Sequence, residues 1–206
     1  MLLPNLAPVF CPPRRIVEKS VSDIPRHQCL IYTGAPSTQL RGLAASIGQR
    51  LEAHWRCLYL NSPPMVAGMA SALAAAGIDV EFERQKGSLM LVADQSHLKD
   101  GRFDPEIMLV RLRTEIVSAQ EDGYVGLWAS GDMTWEFGPE RDFSKLIEYE
   151  RGLEALFRAQ PTLSGVCQYH TDMLPDEAVR HGWSLHPAVY VNETLSHLNA
   201  HYMAAE

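Results

Sequence analysis

Apolar residues along this chain fall into two kinds of run, and the two kinds alternate. Short continuous runs occur at Cys29–Tyr32, Arg56–Leu60, Ser88–Ala93, Tyr124–Ala129, Leu163–Tyr169 and Pro187–Val191. Runs of this length bounded by turn formers are the pattern of strands buried on both faces. Between them, apolar residues recur at helical spacing. Leu40, Leu43, Ala44, Ile47 and Leu51 predict a helix over about 37–52. Pro63-Pro64 after Asn61-Ser62 opens a second helix, which Gly77 ends. Asp104-Pro105-Glu106 combines an N-cap, a proline in the first turn and an acid favoured by the helix dipole, and opens a helix that stops at Gly123. A further helix spans about 143–159, and a short one lies near Pro175–His181. Ile78, Val80 and Phe82 alternate with polar residues and predict a short, half-exposed strand. The alternation of strands and helices predicts an α/β fold with a mostly parallel central sheet and helices on both faces.

Residues 1–25 carry five prolines and mixed charge, the composition of a poorly ordered arm. Residues 26–206 then form a single domain, since 206 residues with 46% hydrophobic content bury one core. The net charge of −7, with no basic run longer than Arg14-Arg15, argues against a nucleic-acid groove or an anionic membrane surface as partner. The arm is also too short for the two helices of a DNA-binding helix-turn-helix. The four cysteines form no CxxC pair, and Cys29 and Cys57 lie in strand-like runs, so they read as buried thiols of a reducing compartment. No basic segment precedes the apolar N-terminus, and the weakly polar stretch 65–78 is too short to span a bilayer. A cytoplasmic location is expected.

The first strand runs through Thr33–Gln39 into a helix, the place where a P-loop protein carries GxxxxGK[ST]. Here the lysine is absent, and Pro36 removes one backbone donor. Ligands of open α/β sheets bind at the carboxyl ends of the strands. Those ends carry Tyr32 and Thr33, Asn61 and Ser62, Asp94, Asp132 and Trp135, then Gln168, Tyr169 and His170. The set is aromatic and polar with nothing cationic, which suits a small organic ligand better than a triphosphate. The ordinary alternative is that any such sheet ends in polar loop residues.

Asp132 follows an apolar strand, so it either holds magnesium as a Walker B acid does or caps the turn at Ser130-Gly131. Glu150 falls on the apolar stripe of Leu146, Leu153 and Phe157. It either faces the ligand or hydrogen-bonds a neighbouring Arg or Tyr, because an unpaired carboxylate there is costly. Cys167 and His170 invite a nucleophile reading, but residues three apart on a strand point to opposite faces. His197 and His201 would share a face if the tail is helical, with no third ligand in view. No catalytic residue, metal site or cofactor is therefore expected.

His27–Tyr32, Gly101-Arg102-Phe103-Asp104 with Met108-Leu109, Gly123–Leu127 and Gly131-Asp132-Met133-Thr134-Trp135 form an ordered set of blocks. Tyr149-Glu150, Cys167-Gln168-Tyr169 and His186-Pro187 extend it. Over roughly residues 25–192 the chain resembles the MEDS sensory domains, named for methanogens, methylotrophs and a dichloromethane regulator. The resemblance implies a RecA/KaiC-like fold with a degenerate P-loop, a sensory role in prokaryotic signalling and regulation of transcription, and hydrocarbon derivatives as ligands. Related chains often carry a DNA-binding or histidine-kinase output region. None is legible here, so output is expected through a signalling partner or a homo-oligomer. Trp128 stands where the family usually has Arg, and His170 where it usually has Asp, which implies a less charged pocket.

The expected function is a non-catalytic sensory domain binding a small organic ligand through Tyr32, Thr33, Asn61, Asp132, Trp135, Glu150, Gln168, Tyr169 and His170. The alternative is a nucleotide-binding RecA-like ATPase with an atypical phosphate site, in which Thr33, Ser37 and Thr38 contact phosphates and Asp132 holds magnesium; a helix N-terminus binds anions without lysine. A pure interaction module using the small-residue helix 65–76 is a third reading.

Overall fold

The structure, a computed structural model, describes residues 25–138 and 142–191, and the backbone of 195–198. Apart from Pro25, the expected arm lies outside the described residues, as does His201.

The strands are β1 (His27–Tyr32), β2 (Arg56–Leu60), β3 (Leu89–Val92), β4 (Leu98–Lys99), β5 (Arg102–Phe103), β6 (Leu127–Asp132), β7 (Leu163–His170), β8 (Ala188–Val191) and β9 (Leu195–Leu198). The helices are α1 (Leu40–Glu52), α2 (Pro63–Ala75), α3 (Val80–Gln85), α4 (Pro105–Glu121), α5 (Met133–Glu136), α6 (Leu146–Ala159) and α7 (Asp176–Leu185). One sheet runs in the order β3-β2-β6-β7-β1-β8-β9, parallel throughout except for the β8–β9 pair, and β4 and β5 form a separate ribbon.

Every residue of β1, β2 and β7 is buried, as the continuous apolar runs require. Alternation along each strand divides the core in two. Cys29, Ile31, Leu58 and Tyr169 face α4, α6 and α7, and the apolar stripe of α6 closes that side with Leu146, Leu153, Leu156 and Phe157. Leu30, Tyr32, Cys57 and Tyr59 face the other way, against Leu43 and Ile47 of α1 and Met69 and Leu73 of α2. Helices thus cover both faces of the sheet.

Register aligns the carboxyl ends. Tyr32 lies opposite His170, Asp132 opposite Gln168 and Leu60 opposite Gly131, so the residues that leave these strands emerge at one edge. The chain runs from β1 over to β2 and β3, then returns to place β6 and β7 between them.

Three sequence expectations change. Ile78, Val80 and Phe82 are not a strand: Val80–Gln85 is α3, and Asp79 caps it by accepting from the Phe82 N–H. A cap followed by two acids in the first turn outweighs three alternating residues. The strand expected at Tyr124–Ala129 is displaced to Leu127–Asp132. Tyr124 N–H instead bonds Ala119 O at the end of α4, and Val125 N–H bonds His54 O. Ser130 and Gly131, which read as turn formers, pair with β2 and β7 in the middle of the sheet. His197 lies on β9 opposite Val189, so the helical tail on which a His197–His201 pair depends is absent at that end.

The α4 start is as expected, with Asp104 accepting from the Glu106 and Ile107 N–H groups. Replacing it by Ala is expected to cost about 1 kcal/mol, read as a lower urea midpoint at unchanged m-value.

Candidate functional site

Asn61, Asp132 and His170 meet across the carboxyl edge of β2, β6 and β7, at the mouth of a cleft of about 690 Å³. That size falls in the ordinary range for a small-molecule pocket. Pro36, Met65, Trp135 and Met173 supply its apolar wall, and Ser62, Gln95 and Thr134 add neutral polar groups. Asp132 is its single lining carboxylate, and no Lys or Arg lines it among the described residues.

Asp132 is held from two sides. Its Oδ1 accepts from the Trp135 N–H at 2.9 Å, which caps α5, and its Oδ2 accepts from the Tyr32 hydroxyl at 3.2 Å. Capping is thus its local role, but it caps α5 rather than a turn at Ser130-Gly131. Burial raises its carboxyl above the usual range, opposed by the hydrogen bonds from Trp135 and Tyr32. Burial and the neighbouring Asp132 charge also raise the Tyr32 phenol, which therefore acts as a donor. The Tyr32 ring stacks on His170 at 4.8 Å, and His170 Nε2 bonds Gly34 O at 2.8 Å. Tyr32 backs the cleft and fixes two of its walls.

Gly131, from the Gly-Asp-Met-Thr-Trp block, is needed for a close approach. A Cβ at this position would lie 1.7 Å from Glu136 Oε1. The bare backbone lets the short α5 turn back under the strand and seat Glu136, which is 1% exposed, in the core. That turn aims Trp135 at the cleft.

Thr33–Thr38, where a phosphate loop would lie, is already engaged. Thr33 Oγ1 and Gly34 N–H donate to the two oxygens of Asp172, at 2.9 and 2.8 Å. Those bonds hold the Asp172 carboxyl below its usual range. The anion on these loop donors is a carboxylate of the chain itself.

The remaining expected site residues lie elsewhere. Glu150 is fully buried on α6 and accepts a short hydrogen bond from the Tyr169 hydroxyl. Its stripe position is thus met by a Tyr contact behind the sheet, and neither side chain lines the cleft. Gln168 points into the sheet core and donates to Ser130 Oγ at 2.9 Å. Asp94 is exposed and pairs with Arg111 at 3.7 Å. Trp128 does not line the cleft either: it is buried against α1, beside a separate cavity of about 190 Å³, so the departure from Arg there does not alter the cleft's charge. Met65, Gln95 and Met173 line the cleft without any sequence signal, because loops and a helix deliver them rather than strand ends.

The family model described as MEDS, the MEthanogen/methylotroph, DcmR Sensory domain, matches residues 26–187. The chain belongs to the MEDS family. No curated relative matches it. Among solved structures, this MEDS domain is similar to a KaiC-like protein from Pyrococcus horikoshii, with TM-score 0.54 and 12% identity over 81% of this chain and 71% of that one. It is likewise similar to the flagellar accessory protein FlaH from Methanocaldococcus jannaschii, with TM-score 0.53 and 10% identity over 82% and 72% of the two chains. At such identities the likeness gives the fold, which is RecA-like α/β. Family membership supports a sensory role. Among the described residues no helix is long and apolar enough to cross a membrane.

Proposed function

We propose that this MEDS domain is a non-catalytic sensor that binds a small, weakly polar organic molecule in the strand-end cleft and signals through a protein partner or self-association. The observation that carries the reading is the lining of the cleft: one indole, one imidazole, two thioethers, neutral amides and hydroxyls, and a single carboxylate. A triphosphate needs cations or free backbone donors. The cleft supplies no Lys or Arg among the described residues, and Thr33 and Gly34 already serve Asp172. Hydrocarbon derivatives, the ligands that the family resemblance implies, match an apolar wall of Met65, Trp135 and Met173 with a few polar anchors. Asp132 and His170 are the groups placed to orient a hydroxyl, amine or halogen on such a molecule.

Melting temperature is the direct test, run with millimolar Mg-ATP, Mg-GTP and a panel of short alcohols, amines and halogenated hydrocarbons. A ligand at ~100 times its Kd adds roughly 2.7 kcal/mol, a shift of about 5–10 °C for a domain of this size. A panel compound is expected to raise the melting temperature, and Trp135→Ala is expected to abolish the rise while the fold survives. A rise with Mg-ATP, followed by turnover that disappears in Asp132→Ala, would replace the sensor reading with the nucleotide-dependent one.

A further inference from the structure

We propose that His27, Glu150, Cys167 and His186 form a buried site for a zinc-class divalent cation, closed by four protein ligands and structural in role. The cluster lies behind the sheet, apart from the cleft. His27 opens β1, Cys167 sits in β7, Glu150 lies on α6, and His186 follows α7. One ligand atom from each falls within 4.8 Å of all the others, and all four residues are buried.

The two separations from the Glu150 carboxylate are too long for direct hydrogen bonds and suit a shared cation. His27 Nε2 is 3.7 Å from Glu150 Oε2, and His186 Nε2 is 3.5 Å from the same oxygen. N–H···O hydrogen bonds run at about 2.7–3.2 Å. Cys167 Sγ is 3.7 Å from His27 Nε2. A tetrahedral ion bonded at about 2.0–2.3 Å to its ligands sets them roughly 3.3–3.8 Å apart, which matches all three distances.

The outer partners decide which atoms face inward. His27 Nδ1 is 2.9 Å from Glu154 Oε2, and Glu154 Oε1 accepts from Arg158 Nε at 2.9 Å. His186 Nδ1 is 2.8 Å from Gly182 O, which can only accept. In each neutral ring the proton therefore sits on Nδ1, and Nε2 turns its lone pair toward the cluster. Glu150 Oε1 is held by the Tyr169 hydroxyl, while the buried Oε2 has no hydrogen-bond donor among the described residues. Two imidazole lone pairs, a carboxylate oxygen and a thiol thus converge, and a cation at their centre converts the repulsion among them into bonding. Carboxylate and carbonyl partners on the far nitrogen are the ordinary support of metal-bound histidine.

The donor set selects the metal. A thiolate with two imidazoles and one carboxylate suits zinc rather than the harder magnesium or calcium. Four protein ligands and no exposed face leave no open position for substrate, so the site is structural. It would clamp β1 to α6, β7 and the end of α7, a consecutive stretch more than a hundred residues further along the chain.

The test is elemental analysis of the 206-residue chain, purified untagged and without chelator. About one zinc per chain is expected, and Cys167→Ser and Glu150→Gln are each expected to lose most of it. Exchange with Co(II) is expected to give tetrahedral d–d bands and a thiolate-to-cobalt charge-transfer band that Cys167→Ser removes. If a variant fails to fold, that sulfur band in the wild-type protein still decides. Protein that holds no zinc above the buffer blank, and takes up none on refolding in excess zinc, would reduce the cluster to a hydrogen-bonded network with Cys167 donating to His27. Equal zinc in wild type and Cys167→Ser, without a sulfur band, would place the metal elsewhere. Either result overturns the proposal.

Discussion

Glu136→Gln is expected to remove, from the pH dependence of stability, a component that falls with rising pH between about pH 4.5 and 8. Glu136 is 1% exposed beneath Gly131. Burial, aided by the charges of Asp132 and Glu150, pushes its carboxyl up to about 8 from an ordinary 4.5, against a hydrogen bond from Tyr149. A carboxyl whose folded value is raised binds its proton more tightly in the folded state. Its contribution is complete below pH 4.5, where both states are protonated, and is lost as pH rises to about 8. The contribution of Glu136 to stability is expected to fall by roughly 1.4 kcal/mol per pH unit across that window, up to about 5 kcal/mol in all. Gln carries no titrating proton, so the variant loses this slope. A buried amide lacking a partner would lower its whole curve by a constant, which leaves the slope as the reading. His27 and His186, both depressed to about 4 chiefly by burial, pull the other way between pH 6.5 and 4. The difference between wild type and variant in urea melts isolates Glu136 from them. Parallel curves from pH 5 to 9 would show that the carboxyl is ionised in the folded protein.

Gly165→Ala is expected to be strongly destabilising. Its Cβ would lie 2.3 Å from Ala129 O, on the neighbouring strand β6, and 3.4 Å from the Phe157 ring. β6 and β7 are both interior strands, fixed by hydrogen bonds on either side, so the carbonyl has no room to retreat. Overpacking of a core costs about 1–3 kcal/mol, and contact with backbone rather than a flexible side chain places this substitution at the top of that range. The melting temperature is expected to fall by about 6–12 °C. Gly42→Ala, on α1 with open space at its Cβ, is the control and is expected to be neutral or slightly stabilising. Equal melting temperatures for the two variants would mean that β6 and β7 can separate locally at no cost.

Much of the fold was legible in the chain because its signals are local. Buried parallel strands show as apolar runs. Asp104-Pro105 and Ser62-Pro63 announce helices through groups that satisfy or lack N–H donors within one turn. The carboxyl-edge rule brings Asn61, Asp132, Trp135 and His170 to one place from the sequence pattern alone, since parallel strands share a direction. Failures came where local signals conflict. Asp79 starts a helix across an alternating triplet. Ser130-Gly131 carries turn chemistry, yet pairing on both sides holds it in the sheet.

The sequence by itself thus determined the layered α/β architecture, the edge at which the polar strand-end residues gather, and the lack of a phosphate-loop lysine. The tertiary structure alone decided which polar groups neutralise one another. Asp172, bonded to Thr33 and Gly34, closes a contact between residues more than a hundred positions apart in the chain. Glu150, placed by its phase alone among the ligand contacts, bonds Tyr169 and faces His27 and His186 instead. Residues 27, 150, 167 and 186 share no spacing that a motif could encode. Sheet order and helix packing bring them together, and both are properties of the folded whole rather than of any window along the chain.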